Sequence, residues 1–529
     1  MRFNLKSDSI AVLQTYIARA SLGFLICGIV IFWYTTCNQP LIDQHSFRQC
    51  QTAMTAQWFA LGSPIQSFLY YETPELGAPW RVPFEFPLYQ AVVAATSRTF
   101  GLPLTNVGRM VSGIFFLLSL WPIHSLAKSF NLGRRFFYII SAFLLSSPLY
   151  LYWSRTFMIE STAVFFGFAF LACIEKALSR DSWPWWICGL LSGIFCALVK
   201  ITTFPSFGVA AVGLALWKSS YRFSRQQLRC LAKHLAIVFF LGFAAILIAV
   251  LWTAHADSIK TQNPLTQTLT SKALGAWNYG TLQQKLNLDL WCNVLWLRVI
   301  PEIFGTVWIG GFFVATICFC RGRELVLVLS FCVLFLLPMI LFTNLHVVHN
   351  YYQYANAFWL IFALATCTCA LSRKLPPIAA MWVCVLIVAS QILGFYQGGF
   401  YAAVELFDNR FLEVAKKIRN ATHEGTALLV FGDDWSPEVA FYSKRKALYI
   451  RGCLGSVKAE EVYSQIIHNP AAVFGDCTLG AIVINNGGVS ANTYTGEMRH
   501  GLNGLLQRLV DKSSGVQVGT YEIHIITHN

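Results

Sequence analysis

The sequence predicts a mainly α-helical, polytopic membrane bundle followed by a small α/β domain. Hydrophobic residues make up 56% of the 529 residues and charged residues only 12%, whereas a soluble domain usually carries about a quarter charged residues. With so few charges, a chain of this length cannot cover a water-facing surface, so most of it must face lipid. From about residue 401 the charge density rises and the apolar runs shorten, which indicates a second, water-facing part.

The first 400 residues predict about eleven membrane-spanning helices, because a helix needs about 20 apolar residues to cross a bilayer. The apolar runs lie at 18–37, 105–126, 136–153, 157–175, 184–199, 201–217, 234–254, 303–320, 325–343, 352–371 and 378–398. Lys200 alone separates the two short runs within 184–217. The first run follows a short polar N-terminus and is typical of a retained span rather than a cleaved signal peptide.

Lysine and arginine residues predict the orientation, because cytoplasmic loops are enriched in them. They cluster in the short connections at 128–135, 176–180, 218–233, 321–323 and 373–374, and Arg2 and Lys6 precede the first run. We therefore expect a cytoplasmic N-terminus, periplasmic loops at 38–104, 154–156, 255–302 and 344–351, and a periplasmic tail. The net charge of +14 is thus interpreted as an orientation signal and not as a nucleic-acid surface. A bacterial inner membrane is the expected location.

The chain is predicted to divide at residue 400 into a membrane domain, 1–400, and a periplasmic α/β domain, 401–529. Runs at 427–431, 447–450, 481–484 and 516–526 predict strands, and segments near 403–420, 457–468 and 498–512 predict helices. Cys453 and Cys477 lie in this tail. They are either a disulfide pair or two buried thiols, since connectivity cannot be read from sequence.

The long first outer loop begins with the sequence DQHSFRQ at 43–49, directly after the first span. Residues 49–60 predict an amphipathic helix lying along the membrane surface. Asp43 is a candidate functional residue, because an ionisable group at the membrane boundary is a functional hypothesis by default. The alternative is that Asp43 only caps the surface helix.

Two further candidates carry charge within apolar surroundings. In the RVPFEFPLY segment at 81–89, Arg81 and Glu85 stand in an aromatic, proline-fixed stretch, which is otherwise an interfacial loop with aromatic anchors. Glu160 is predicted about one turn inside the membrane, where a bare carboxylate is costly. We expect it to pair with Arg155, Arg48 or a metal ion, and a purely structural ion pair with Arg155 is the alternative.

Residues 344–352 read NLHVVHNYY, and they place His346 and His349 three positions apart, where they can share a helix face. Together with a carboxylate such as Glu85 they could bind a metal or a phosphate, although interfacial histidine and tyrosine also anchor membrane proteins. Lys200 is a candidate phosphate ligand or a snorkelling lysine.

In order along the chain, these segments resemble bacterial glycosyltransferases of the GT-C fold, relatives of the protein O-mannosyltransferases and of the aminoarabinose transferase that modifies lipid A. The DQHSFRQ stretch with Ala53 and Ala56 resembles the first-loop motif of that family. The 85–89 stretch resembles its Pro-Pro-Leu-Tyr segment, with Phe86 in place of the first proline. Residues 346–352 resemble its His-x-x-x-Tyr-Tyr motif, and 434–442 resemble the outer domain of many members.

The resemblance implies inverting transfer of a sugar from a polyprenyl-phosphate carrier, such as undecaprenyl phosphate, to an acceptor lipid, glycan or protein. Asp43 would be the general base, and cations would gather the charge of the leaving phosphate. The predicted catalytic residues are Asp43, Glu85 and Glu160. The predicted substrate and phosphate ligands are His45, Arg48, Arg81, Arg155, Lys200, His346, His349, Tyr351 and Tyr352. A divalent metal (Zn, Mg or Mn) is expected on Glu85 and His349 with His346 or His255, a ligand set that suits zinc best.

Two other classes of protein remain as alternatives. A multi-span lipid or solute transporter or flippase would show Gly/Pro-broken spans in paired halves and charges near mid-membrane, whereas the candidates here cluster on one predicted face. A non-catalytic assembly subunit would use the tail as a binding module. For the enzyme, we expect the tail, 401–529, to hold no catalytic group and to cover the membrane site or receive the acceptor.

Overall fold

The computed structural model describes residues 5–62, 68–129, 133–219, 225–406, 408–487, 494–509 and 515–526, with the backbone alone for 5–15, 129 and 219. Arg2, Arg222 and the chain end at Asn529, which the orientation prediction uses, lie outside the described residues. The chain divides into two compact units. The first contains Met1–Gln39, Gly108–Trp252 and Gly275–Glu405, and the second contains Pro40–Val107, Thr253–Leu274 and Leu406–Asn529.

The first unit is helical, and its long apolar helices confirm the predicted membrane bundle. Its longer helices are Leu5–Thr36, Leu104–Ser129, Gly133–Ser146, Glu160–Arg180, Trp183–Val199, Phe204–Ser219, Arg225–Lys260, Val307–Thr316, Arg323–Leu341, Gln353–Ser372 and Pro377–Gln397. Shorter helical pieces are Pro148–Trp153, Gly275–Tyr279, Leu282–Leu286, Leu290–Val299, Ile300–Phe304, Ile317–Phe319, Thr343–Val348, Asn350–Tyr352 and Gly399–Glu405. Helices Leu104–Ser129 and Arg225–Lys260 each continue into the second unit.

Fewer helices than the predicted eleven are individually long and apolar enough to cross a membrane. Among the described residues, seven meet the length and composition criteria, or eight if the bent pair Leu290–Phe304 and Val307–Phe319 is one span. The predicted run 136–153 is interrupted before Pro148, which begins a new helix because proline cannot continue the preceding one. The runs on either side of Lys200 form helices of 17 and 16 residues.

The core of the first unit is built around helix Gln353–Ser372, in which every residue except Cys369 is buried. Phe168, Phe358 and Phe362 pack their rings together in this core. The bend between Phe304 and Val307 is made at Gly305, whose φ of 86° favours glycine. A Cβ atom at Gly394 would lie 2.4 Å from the Gly305 backbone, so helix Pro377–Gln397 can approach the bend closely.

The second unit is built on a five-stranded sheet in the order β2-β1-β3-β5-β4. The strands are β1 (Thr426–Phe431), β2 (Lys446–Ile450), β3 (Thr478–Asn485), β4 (Gly515–Val518) and β5 (Tyr521–Ile525). β1 pairs in parallel with β2 and β3, and β5 pairs antiparallel with β3 and β4. The first three strands confirm the sequence prediction. The single strand predicted at 516–526 is wrong, because the chain turns at Gly519, with φ of 58°, and forms a hairpin.

Helices Arg410–Ala421, Glu438–Ser443, Ser456–His468, Pro470–Phe474 and Gly496–Leu509 accompany the sheet, and short turns of 3₁₀ helix lie at Gln267–Leu269 and Gly452–Leu454. The first outer loop belongs to the same unit. Its helices Ser46–Ala60 and Leu88–Phe100 pack on each other, and the former also packs on Glu438–Ser443. Glu75 pairs with Ala447 as a parallel bridge, which extends the sheet beyond β2. Cys453 and Cys477 are both free thiols.

Candidate functional site

Asp43 lies in a turn just before helix Ser46–Ala60, and its carboxylate is buried. The amide of Gln49 donates a hydrogen bond from Nε2 to Asp43 Oδ1 at 2.5 Å. The residue at the helix start is His45, and no side chain caps the helix there. A side chain from the first turn of the helix therefore fixes the Asp43 carboxylate.

Arg48 and Glu85, two predicted site residues, form an ion pair in the second unit. Arg48 also donates from Nη1 to Gln51 Oε1 at 2.7 Å. The backbone around Glu85 is fixed by Tyr71, whose hydroxyl donates to the Glu85 carbonyl and accepts from the Phe84 amide, both at 2.9 Å. Glu85 is therefore an arginine partner, held by a loop that is itself hydrogen-bonded.

Glu160 and Lys200 form a buried ion pair in the first unit. Glu160 therefore pairs with Lys200, and the expected ion pair with Arg155 or Arg48 is wrong. Lys200 sits in extended conformation between two helices, and this break lets its ammonium reach the first turn of helix Glu160–Arg180. Because only 7% of its side chain is exposed, Lys200 does not snorkel to solvent.

Lys200 also lies over the rings of the predicted tyrosine pair. Its ammonium is 4.0 Å from the centre of the Tyr352 ring and 5.1 Å from that of Tyr351, within the range of cation–π attraction. Lys200 and the two tyrosines therefore form one cluster with Glu160. In this cluster the Glu160 carboxylate balances the charge of the ammonium, and the two phenol rings cover it.

The two histidines pack against this tyrosine pair. His349 lies 5.3 Å from Tyr351 and His346 lies 5.7 Å from Tyr352, measured between ring centres. Arg298 donates to the carbonyl oxygens of His346 and Val347 at the end of helix Thr343–Val348. Burial, with Lys200 nearby, lowers the pKa of His346 to about 3, so this imidazole is neutral at physiological pH.

Arg155 is buried in the first unit beside a second arginine that the sequence analysis did not single out. Its Nη1 donates to Gln39 Oε1 at 3.2 Å, and its own carbonyl accepts from Arg109 Nη1 at 3.2 Å. Arg109 is only 2% exposed. A lone arginine near the start of the apolar helix Leu104–Ser129 was the signal that could have identified it.

Two glutamates of the second unit, Glu75 and Glu438, were not predicted as site residues. Glu75 is fully buried, and within the described residues neither carboxyl oxygen has a hydrogen-bond partner. Burial, with Glu438 nearby, raises the pKa of Glu75 well above its usual value. Glu438 accepts hydrogen bonds from the hydroxyls of Ser46 and Ser436, each at 2.6 Å. No sequence motif marks Glu75, whereas Glu438 lies in the 434–442 stretch.

The predicted metal site receives no support from these positions. Across the described ranges, no three His, Cys, Asp or Glu side chains come together to hold a metal ion. Glu85 pairs with Arg48, and His255 places Nε2 at 2.8 Å from the Leu69 carbonyl. Arg81, a predicted phosphate ligand, has its guanidinium 5.8 Å from the centre of the Tyr70 ring.

No family model and no curated protein matches the sequence, but several solved structures match the fold. The apo crystal structure of ArnT from Cupriavidus metallidurans matches with a TM-score of 0.63 at 13% identity, over 96% of this chain and 98% of that one. ArnT bound to undecaprenyl phosphate matches with a TM-score of 0.59 at 13% identity, over 95% and 97%.

The arabinofuranosyltransferase AftD from Mycobacteria matches with a TM-score of 0.55 at 12% identity, over 97% of this chain and 40% of that one. This chain therefore spans well under half the length of AftD but nearly all of ArnT. At these identities the likeness establishes the fold, and it extends over both units. The chain has the GT-C-like membrane fold that its sequence motifs predict.

Proposed function

We propose that this protein is an integral membrane glycosyltransferase that moves a sugar from a polyprenyl-phosphate donor to an acceptor on the periplasmic side of a bacterial inner membrane. The observation that carries the proposal is the position of Asp43, a buried carboxylate fixed by Gln49 at the start of the first outer loop. The fold likeness to an ArnT structure bound to undecaprenyl phosphate supports the donor class.

In the proposed reaction, an acceptor hydroxyl attacks the anomeric carbon of the carrier-linked sugar, and Asp43 takes the hydroxyl proton. A new bond forms between the acceptor oxygen and the anomeric carbon. The bond between that carbon and the carrier phosphate oxygen breaks, and its electron pair leaves with the phosphate. Attack from the opposite side inverts the anomeric configuration. The acceptor is a lipid, a glycan or a protein hydroxyl.

Cationic side chains are proposed to stabilise the phosphate that leaves. Lys200 is the best supported of them, because its ammonium is already buried beside Tyr351 and Tyr352. Glu160 accepts a hydrogen bond from that ammonium and so holds it in place. Arg48 and Arg155 are the further candidates of the same kind.

Glu85 is proposed to act through Arg48 rather than through a metal ion, because the two side chains form an ion pair. Among the described residues, no three His, Cys, Asp or Glu side chains are grouped as metal ligands. No step of the proposed reaction depends on a metal ion.

Carrier binding by the purified full-length protein tests this function. A ligand that binds only the folded protein raises its thermal midpoint, so undecaprenyl phosphate should raise it and undecaprenol, which lacks the phosphate, should not. Polyprenyl-phosphate sugars should then support transfer to an acceptor fraction from the cell envelope. Equal midpoints with both lipids, together with no transfer from any carrier-linked sugar, would contradict the proposal.

A further inference from the structure

The 434–442 segment of the tail contacts the turn that carries Asp43 on both of its sides. On the near side, the Leu41 amide donates to the hydroxyl of Tyr442 at 2.5 Å. On the far side, the Ser46 hydroxyl donates to Glu438 Oε1 at 2.6 Å. The stretch from Leu41 to Ser46, which contains Asp43, is therefore attached at both ends to a single short stretch of the distant tail. Residues 43–48 are named here the 43–48 turn.

Aromatic packing adds a third attachment. The Trp435 ring meets the Phe47 ring edge-on, with 4.8 Å between the ring centres, and its centre lies 5.7 Å from that of Phe84. Phe84 directly precedes Glu85, the partner of Arg48. Trp435 thus contacts the two loop stretches that carry the Arg48–Glu85 ion pair.

The 43–48 turn needs such support because its backbone is strained. His45 has φ of 54° and ψ of 43°, the left-handed helical region, which is unfavourable for an L-residue other than glycine. Strained backbone of this kind persists only where the surrounding structure over-determines it. Hydrogen bonds from the Ser46 amide to the Asp43 carbonyl and from the Arg48 amide to the His45 carbonyl close the turn locally.

Glu438 is well suited to hold the turn, because both of its carboxyl oxygens are occupied. Oε1 accepts from Ser46, and Oε2 accepts from Ser436 at 2.6 Å. The side chain is 1% exposed, so water cannot replace either bond. A buried acceptor with two fixed donors is a rigid link between the tail and the first residue of helix Ser46–Ala60.

We propose that the 434–442 segment holds the 43–48 turn in its strained conformation, and that Glu438 is the positioning residue for Asp43. This inference rests on the proposed function, in which Asp43 is the base. Glu438 touches no reacting atom in this scheme. It acts through Ser46 and the turn, and the tail thereby takes part in transfer without supplying a catalytic group.

The first test measures the turn itself and does not depend on activity. Hydrogen–deuterium exchange of the peptide containing residues 41–49 is compared in the full-length wild type, Glu438→Ala and Glu461→Ala. Glu461 is an exposed glutamate of helix Ser456–His468 and serves as the matched control. We expect faster exchange in Glu438→Ala and wild-type exchange in Glu461→Ala. Unchanged exchange in Glu438→Ala would overturn the inference even if the proposed reaction is correct.

The second test is sugar transfer, expressed per folded molecule. Displacing a catalytic group by about 1 Å can cost up to about 100-fold in rate, so we expect Glu438→Ala to lower kcat at least about tenfold with carrier binding retained. Glu438→Gln keeps an acceptor for the Ser46 hydroxyl and should recover most of the rate. Faster exchange with an unchanged kcat would show that transfer does not need this positioning, which also overturns the inference.

A double-mutant cycle separates the inference from the proposed function. If Glu438 acts through Asp43, Glu438→Ala should lower transfer in the wild-type background and not in Asp43→Asn. Equal losses in both backgrounds would overturn the positioning role. Near-normal transfer by Asp43→Asn alone would instead reject the proposed base. If Glu438→Ala does not fold, Ser46→Ala removes the same hydrogen bond without changing the tail, and it should give the same exchange and the same loss.

Discussion

Lys200 donates a hydrogen bond to Glu160 across 40 positions of sequence, and only 7% and 4% of the two side chains are exposed. The pair joins the break between helices Trp183–Val199 and Phe204–Ser219 to the start of helix Glu160–Arg180. Its position beside Tyr352 makes it part of the proposed phosphate site. A pair buried to this degree should affect both stability and carrier binding.

Removing one partner of the Lys200–Glu160 pair should destabilise the first unit strongly. Lys200→Met leaves an uncompensated buried carboxylate, and breaking a buried pair in this way typically costs about 3–5 kcal/mol. The double variant Lys200→Met/Glu160→Gln should recover much of the lost stability but not carrier binding. The thermal midpoint in detergent measures stability. The change in this midpoint on adding undecaprenyl phosphate measures carrier binding.

The matched control is Arg373→Met, which breaks the more exposed pair with Glu324. Such surface pairs contribute little to stability, so its midpoint should stay close to that of the wild type. A Lys200→Met protein as stable as Arg373→Met would contradict the structural role of the pair. Full carrier binding by the double variant would remove Lys200 from the phosphate site.

Because Arg48 and Glu85 form an ion pair, we expect the effects of their substitutions on sugar transfer to be non-additive. If Glu85 positions Arg48, Glu85→Gln should lower transfer about tenfold, and Arg48→Gln should lower it at least as much. The double variant should then be no worse than Arg48→Gln alone. Glu72→Gln, in the same loop, is the control and should transfer normally. Elemental analysis decides the competing interpretation, because loss of bound zinc in Glu85→Gln would mark Glu85 as a metal ligand.

Asp433 predicts a pH-dependent stability difference in the second unit. Its Oδ1 accepts from Asn485 Nδ2 at 2.6 Å and from the Tyr521 hydroxyl at 3.2 Å, and burial raises its pKa to about 6. Because the folded pKa exceeds the unfolded value, ionised Asp433 destabilises the fold above pH 6, and this cost disappears as pH falls toward 4. Each unit of pKa shift corresponds to about 1.4 kcal/mol.

Asp433→Asn should therefore unfold at a higher temperature than the wild type at pH 7.5, and the gap should narrow at pH 4.5. The asparagine keeps the oxygen that accepts from Asn485, and it cannot ionise. Asp476→Asn, at an exposed position, should show no gap at either pH. If the difference in unfolding temperature between Asp433→Asn and the wild type widens as the pH falls, this explanation is wrong.

The Lys and Arg distribution predicts the orientation of the bundle. Reporter fusions at positions 130 and 225 should report the cytoplasm, and a fusion at 529 should report the periplasm. A periplasmic signal at 225 would reverse the arrangement of the loops. It would also remove the grouping of Asp43 and His349 on one side of the membrane.

The sequence predicted the fold class and most of the tail, because apolar runs and strand patterns are local properties. It did not predict the break before Pro148 as the end of a helix, nor the hairpin at Gly519, since both depend on how single residues interrupt an otherwise continuous apolar pattern. The count of about eleven spans included short apolar helices on either side of Lys200.

The sequence predicted those candidate site residues that lie in local motifs, and it did not predict their tertiary partners. Asp43, Arg48 and Glu85 lie in recognisable motifs, and the structure shows contacts among their loops. The partner of Glu160 could not be predicted, because Lys200 approaches it only through tertiary packing. The burial of Glu75 and the contact of Glu438 with Ser46 could not be predicted, because the first loop and the tail are far apart in sequence.

Asp43 is the centre of the proposed mechanism, and its isosteric replacement tests it most directly. Asn keeps the size of the side chain and an oxygen that can accept from Gln49, but it cannot take a proton from the acceptor. The decisive measurement is sugar transfer by Asp43→Asn at wild-type expression, with undecaprenyl phosphate binding as the check on folding. We expect intact carrier binding with transfer reduced by about 10²–10⁴-fold, and near-normal transfer would rule out Asp43 as the base.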